Sequence, residues 1–218
     1  MPRTPLPERV LCLVTALEHG EDPAALHEVI GAAIRGGANM IQVRAPGLER
    51  TEFFHFAASV METVGDDALV TINNRVDVAL AVGASGVQLG ERRTAVKAAR
   101  NLGGDRWLIG RSVHSVQGAQ KANSDGADFL VLGTLYETVS HPRQKAAGVG
   151  LVRDVAQSVD TPIIGIGGIN PQRAARVVAA GGIGVAVIGA ILLAKDPERA
   201  AAELRNAIED AEPDGRRA

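Results

Sequence analysis

Side chains able to hold an anion or move a proton recur just after short apolar runs in this chain. Gln42 and Arg44 end the run MIQVR, and Asn73, Asn74 and Arg75 follow ALVTI. Ser112 and His114 lie in GRSVHS, and Thr134, Glu137, Thr138 and His141 lie in GTLYETVSH. Amides and guanidinium groups hold a ligand's oxygens, and an arginine fork can take a carboxylate or phosphate through two hydrogen bonds. The same groups suit magnesium poorly, because it prefers carboxylates and phosphates. His114 and His141 have side chains that titrate near neutral pH and could shuttle a proton; each could equally cap a helix or face solvent. His19, His27 and His55 fall in helical or helix-entry segments and read as structural. A different anion grip is written in IGIGGIN and VIGAILL. Gly167, Gly168 and Gly189, with Ala190 beside the last, would let backbone N–H groups approach a phosphate where a helix begins. The plainer reading of those glycines is a pair of tight turns.

Such residues work only if the elements before them converge. Eight apolar runs alternate with longer amphipathic stretches: 10–15, 40–44, 68–73, 86–90, 107–112, 129–134, 162–168 and 184–189. Asp22-Pro23 and Asn170-Pro171 pair a helix-capping residue with proline at the first helical position. Gly36-Gly37, Gly103-Gly104 and Gly181-Gly182 stand where helices should stop. Strands joined by crossover helices must be parallel and covered on both faces. Eight such units in 218 residues predict a single-domain α/β protein with the (β/α)8 TIM-barrel fold, whose active sites lie at the strand C-termini. An open doubly wound sheet is the competing architecture, but no G-x-G-x-x-G follows the first strand. The barrel is expected over residues 1–211, with a disordered tail at 212–218. The long polar segment 135–145 reads as a lid over the mouth.

Composition narrows the partners. A formal net charge of −2 without a basic patch argues against nucleic acid or an acidic membrane surface. The single cysteine, Cys12, has no internal partner and sits in RVLCLV, so a buried inert thiol is expected. No apolar stretch is long enough to span a bilayer, and MPRTPLPERV lacks a signal peptide's apolar core. The expected protein is cytoplasmic and takes a phosphorylated small-molecule substrate; a homodimer through the outer helices is compatible with the pattern.

In order and at barrel spacing, MIQVR, TINNRVDVALAVGASGVQLG, IGRSVHS, GADFLVLGTLYET, PIIGIGGINP and GVAVIGAI resemble the thiamine phosphate synthase and thiazole tautomerase superfamily. The likeness covers roughly residues 8–208. The resemblance implies one of two activities. The synthase branch couples a pyrimidine pyrophosphate to a thiazole phosphate with magnesium, and its pattern has a lysine where Pro46 stands. It also has magnesium-binding aspartates where Asn74 and Arg93 stand, and a further lysine near His141; Ser112 matches a pyrophosphate contact. The tautomerase branch shifts protons on a phosphorylated carboxythiazole and needs no metal. IGRSVHS and Tyr136-Glu137-Thr138 are similar to that branch, although Thr134 occupies its catalytic histidine's position. The resulting expectation is a metal- and cofactor-free isomerase of thiamine biosynthesis, with His114, His141 or Glu137 as acid or base. A magnesium-dependent synthase, a non-catalytic metabolite-binding barrel and an enzyme of another heterocycle pathway are the alternatives.

Overall fold

The computed structural model describes residues 5–17, 22–138 and 146–212. The elements follow the alternation of the sequence. They run β1 (Val10–Val14), α1 (Pro23–Arg35), β2 (Met40–Val43), α2 (Arg50–Val64), β3 (Leu69–Asn73), α3 (Val76–Val82), β4 (Gly86–Leu89), α4 (Val96–Gly103) and β5 (Leu108–Val113). They continue through α5 (Val116–Ser124), β6 (Phe129–Leu132), α6 (Gly150–Ala156), β7 (Ile163–Ile166), α7 (Pro171–Ala179), β8 (Gly184–Val187), α8 (Gly189–Leu192) and α9 (Pro197–Glu209). All eight strands pair in parallel, and β1 meets β8 with Val10 opposite Gly184, so the sheet closes as a (β/α)8 barrel. The expected tail lies outside the described residues apart from its first position, Glu212.

Two apolar layers hold the barrel. Strand residues of one parity, such as Leu11, Leu13, Ile41 and Val87, pack outward against the helices. The other parity fills the interior with Val10, Cys12, Met40, Leu108, Phe129 and Ile164. That two-residue alternation is what a pleated strand imposes. Asp22, Asn170 and Asp196 cap α1, α7 and α9, each followed by proline. His27 accepts the structural role expected of it, its two ring nitrogens meeting Ser59 and Thr63 of α2 at 3.0 and 2.8 Å. The run 162–168 is shorter as a strand than its apolar pattern predicts. It stops at Ile166 because Gly167 takes φ +102°, where an extended chain cannot continue.

Burial pushes the Cys12 thiol up to about 12. The thiolate, which is the reactive form, is thus scarce at neutral pH. Native protein is expected to leave a disulfide-type thiol reagent unreacted at pH 8, and to release one thiol per chain once denatured. Colour development without denaturant would show that the inner layer opens readily. Among the described residues, no helix is long and apolar enough to cross a membrane.

Candidate functional site

The inward parity that builds the interior also builds the mouth. Its uppermost layer lines a cavity of about 500 Å³. On one side stand Gln42, Asn73 and Ser112, from β2, β3 and β5; on the other stand Val131, Ile166, Ala186 and Val14, from β6, β7, β8 and β1. The wall is therefore polar on one side and apolar on the other. Gln42 Nε2 donates to Asn73 Oδ1 at 3.3 Å. Below them, buried Gln88 donates Nε2–H to Ser112 Oγ at 3.0 Å, which fixes the hydroxyl and leaves its own proton to point at a ligand.

Arg44 rises from the end of β2. Its backbone N–H donates to Thr15 Oγ1 at 2.8 Å, and that hydroxyl donates back to the Arg44 carbonyl at 2.7 Å. The chain is clamped on both sides of the residue, whereas no hydrogen bond or ion pair engages its guanidinium among the described residues. A half-buried cation held this way at a cavity wall suits a carboxylate or phosphate. His114 continues the inward line of Gly110 and Ser112, and its Nδ1 donates to the Gly133 carbonyl at the end of β6.

Opposite lie the glycine loops. Gly167 and Gly168 have φ +102° and +61°, and a Cβ on Gly168 would stand 2.4 Å from the Glu137 carbonyl. Only glycine lets the β7 and β6 loops approach so closely. Arg173 secures this corner, donating to the Gly168 carbonyl while its guanidinium lies 4.5 Å from the Tyr136 ring centre. Gly189 and Ala190 open α8 beside them.

The structure brings together Gln42, Arg44, Asn73, Ser112, His114, Thr134, Thr138, Gly167, Gly168, Gly189 and Ala190 around one cavity. Three other candidates stand off its wall. Asn74 takes a left-handed backbone, φ +59°, and its Oδ1 accepts from Gly90 N–H at 2.7 Å, so the amide stitches the end of β3 to that of β4. Arg75 turns outward onto Asp77, donating through Nε and Nη2 at 2.9 and 2.7 Å, and stacks over Phe53. The Arg75 hydrogen bonds hold the Asp77 carboxyl down to about 2. The pair's small, solvent-screened contribution is therefore complete above the ordinary aspartate range and fades as pH falls toward 2. Glu137 is exposed beside the corner, and His141 lies outside the described residues, as does most of the segment read as a lid. Replacing Arg75 by alanine is accordingly expected to leave kcat/KM within about threefold and to cost roughly 1 kcal/mol or less in stability. A hundredfold loss of activity would show that Arg75 leaves Asp77 for the substrate.

Residue types alone did not mark the apolar wall, Gly90, Glu91 or Leu193 as lining. The available signal was strand parity, since Val14, Val131 and Ala186 each fall an even number of residues from an interior residue of the same strand.

A magnesium ion needs hard anionic donors, usually one or two carboxylates together with phosphates. Among the described residues no cluster of three His, Cys, Asp or Glu side chains gathers. Glu91 is the one acid on the described cavity wall, and the Asn74 oxygen is committed to Gly90. The described wall thus offers a magnesium ion one carboxylate, Glu91, and no cage of three or more acidic, His or Cys ligands.

The family model described as "Thiamine monophosphate synthase" matches residues 11–191. The chain belongs to the thiamine monophosphate synthase family. It is 40% identical over 209 residues to the thiamine-phosphate synthase of Natronomonas pharaonis, covering 92% of this chain and 95% of that one. It is 37% identical to the thiamine-phosphate synthase of a Roseiflexus species, over 86% of this chain and 80% of the relative. The solved thiamine phosphate pyrophosphorylase of Pyrococcus furiosus superposes with a TM-score of 0.82 at 33% identity, covering 94% and 97% of the two chains. These family relatives correct the isomerase expectation: matches along nearly the whole chain are to synthases, and the enzyme class they favour is a transferase. The tautomerase-like segments IGRSVHS and Tyr136-Glu137-Thr138 are short beside that extent.

Proposed function

We propose that the protein is a thiamine-phosphate synthase, joining a pyrimidine methyl diphosphate to a thiazole phosphate with release of diphosphate. The observation that carries this reading is a single cavity with an anion-binding group at each end, in a chain 40% identical to a named synthase. Arg44 and the Ser112 hydroxyl receive the diphosphate. The N–H groups around Gly167, Gly168, Gly189 and Ala190 receive the thiazole's phosphate. Gln42 and Asn73 offer amide donors and acceptors to the pyrimidine's edge, and Thr134 and Thr138 add hydroxyls between the two anions. The apolar wall of Val131, Ile166 and Ala186 gives the flat rings a dry surface, where the charges developing at the reacting carbon and its leaving group interact strongly with fixed dipoles. Holding both reactants in one cavity also removes most of the entropic cost of their meeting.

Incubating the purified protein with both substrates and separating the products chromatographically tests the reading. Thiamine phosphate should form, and folded protein that forms none would overturn the assignment. Because the described wall carries a single carboxylate, Glu91, magnesium titrated into substrate-free protein is expected to give no saturable heat. A stoichiometric binding isotherm would reveal acidic donors gathered outside the described residues.

A further inference from the structure

We propose that His114 is the general acid of this reaction, its Nε2 delivering a proton to the departing diphosphate. The role rests on the synthase reading above. It begins from one hydrogen bond: the Nδ1 of His114 meets the Gly133 carbonyl oxygen. A carbonyl can only accept, so Nδ1 carries a hydrogen whether the ring is neutral or charged. The proton that comes and goes is therefore the one on Nε2, and the tautomer and the ring's orientation are fixed by the end of β6.

Position agrees with this. Gly110, Ser112 and His114 follow one another at two-residue spacing, which places His114 about 7 Å further along the strand line than Ser112. Both residues line the cavity. A diphosphate drawn to Arg44 and the Ser112 hydroxyl lies beneath the imidazole. Arg44 and Glu91 are the other charged side chains on the described wall. A proton is the most compact donor that the chain itself can offer to charge developing on the leaving group.

In the step itself, the bond between the pyrimidine's methylene carbon and the diphosphate oxygen breaks, and its electron pair leaves with the diphosphate. The Nε2 proton passes to a diphosphate oxygen. The thiazole nitrogen uses its lone pair to form the new C–N bond, and the imidazole, now neutral, takes up a proton from solvent before the next turnover.

The test separates proton donation from the hydrogen bond that orients the ring. In His114→Asn, the amide N–H sits where Nδ1 sat and can still reach the Gly133 carbonyl, but nothing replaces Nε2. The variant should fold with an unfolding midpoint near that of the wild type and keep KM within a few-fold, while kcat falls about 10²-fold or more. A second substrate carrying a difluoromethylene diphosphonate, a more acidic leaving group, needs the proton less. The deficit of the variant should shrink at least about tenfold with it, by the Brønsted relation that governs acid catalysis. His114→Gln, judged by the same ratio, serves if the Asn variant is insoluble. A variant that keeps kcat within about fivefold, or that loses kcat equally with both leaving groups, overturns the role alone. Wild-type protein that binds diphosphate yet makes no thiamine phosphate overturns the synthase reading, and this role with it.

Discussion

Gly184→Ala is expected to leave little soluble protein. A Cβ at Gly184 would stand 1.9 Å from the carbonyl oxygen of Val10. That oxygen belongs to the backbone of β1, and Val10 opposite Gly184 is the first pair of the seam that closes the barrel. A flexible side chain could swing aside from such a clash, but a strand held between two neighbours cannot. The cost should reach about 3 kcal/mol or more, a large share of the roughly 5–15 kcal/mol that holds a domain folded. Soluble yield and the urea unfolding midpoint would measure it. Gly148→Ala is the comparison, since Gly148 has a positive φ, +77°, which Gly184 lacks, but meets nothing within 4 Å. Its cost should be backbone strain alone, about 1 kcal/mol. If Gly184→Ala unfolded no more easily than Gly148→Ala, the seam would be more plastic than its geometry implies.

Arg44→Ala should lower kcat/KM for thiamine phosphate formation by about 10²–10³-fold. The guanidinium is the one arginine or lysine side chain on the described cavity wall, and a charge-assisted pair of hydrogen bonds to phosphate oxygens is worth roughly 1.5–3 kcal/mol per contact. Because Thr15 clamps the backbone rather than the side chain, truncation should leave the unfolding midpoint close to wild type. Arg44→Lys should recover only part of the loss, since an ammonium offers charge without the planar fork. Steady-state kinetics and the dissociation constant for inorganic diphosphate would check this. A loss below tenfold in both would place the diphosphate elsewhere in the cavity.

The barrel was legible because its grammar is local. Alternation of runs, capping residues at Asp22 and Asn170, and glycines at helix ends each follow from backbone sterics that any homogeneous stretch of sequence displays. The places where reading failed are those where the deciding contact comes from elsewhere. Asn74 has the chemistry of a ligand group, yet its amide is taken by Gly90, sixteen positions along the chain. The signal that could have flagged it is that asparagine tolerates a left-handed backbone, so the second amide of the pair can make a turn. Arg75 likewise has the chemistry of an open fork, although Asp77 two residues later is close enough to occupy it. The activity is obscured in the sequence for a different reason. A few altered positions, Asn74, Arg93 and Thr134 among them, outweighed a likeness that extends over nearly the whole chain. Single substitutions change which donors are present, whereas identity across the barrel carries the shape of the entire cavity.

The division of the cavity wall has a consequence for how a ligand is read. Polar side chains arrive from one arc of the circle of strands and apolar ones from the arc facing it. A flat ring that entered would therefore be sorted by compass bearing about the barrel axis, not by how deep it sinks. Turning such a ring by half a revolution would set its nitrogens against Val131 and Ile166 and strand their lone pairs in a dry wall. A barrel built this way would distinguish the two edges of one molecule with no contact at all to the reacting carbon.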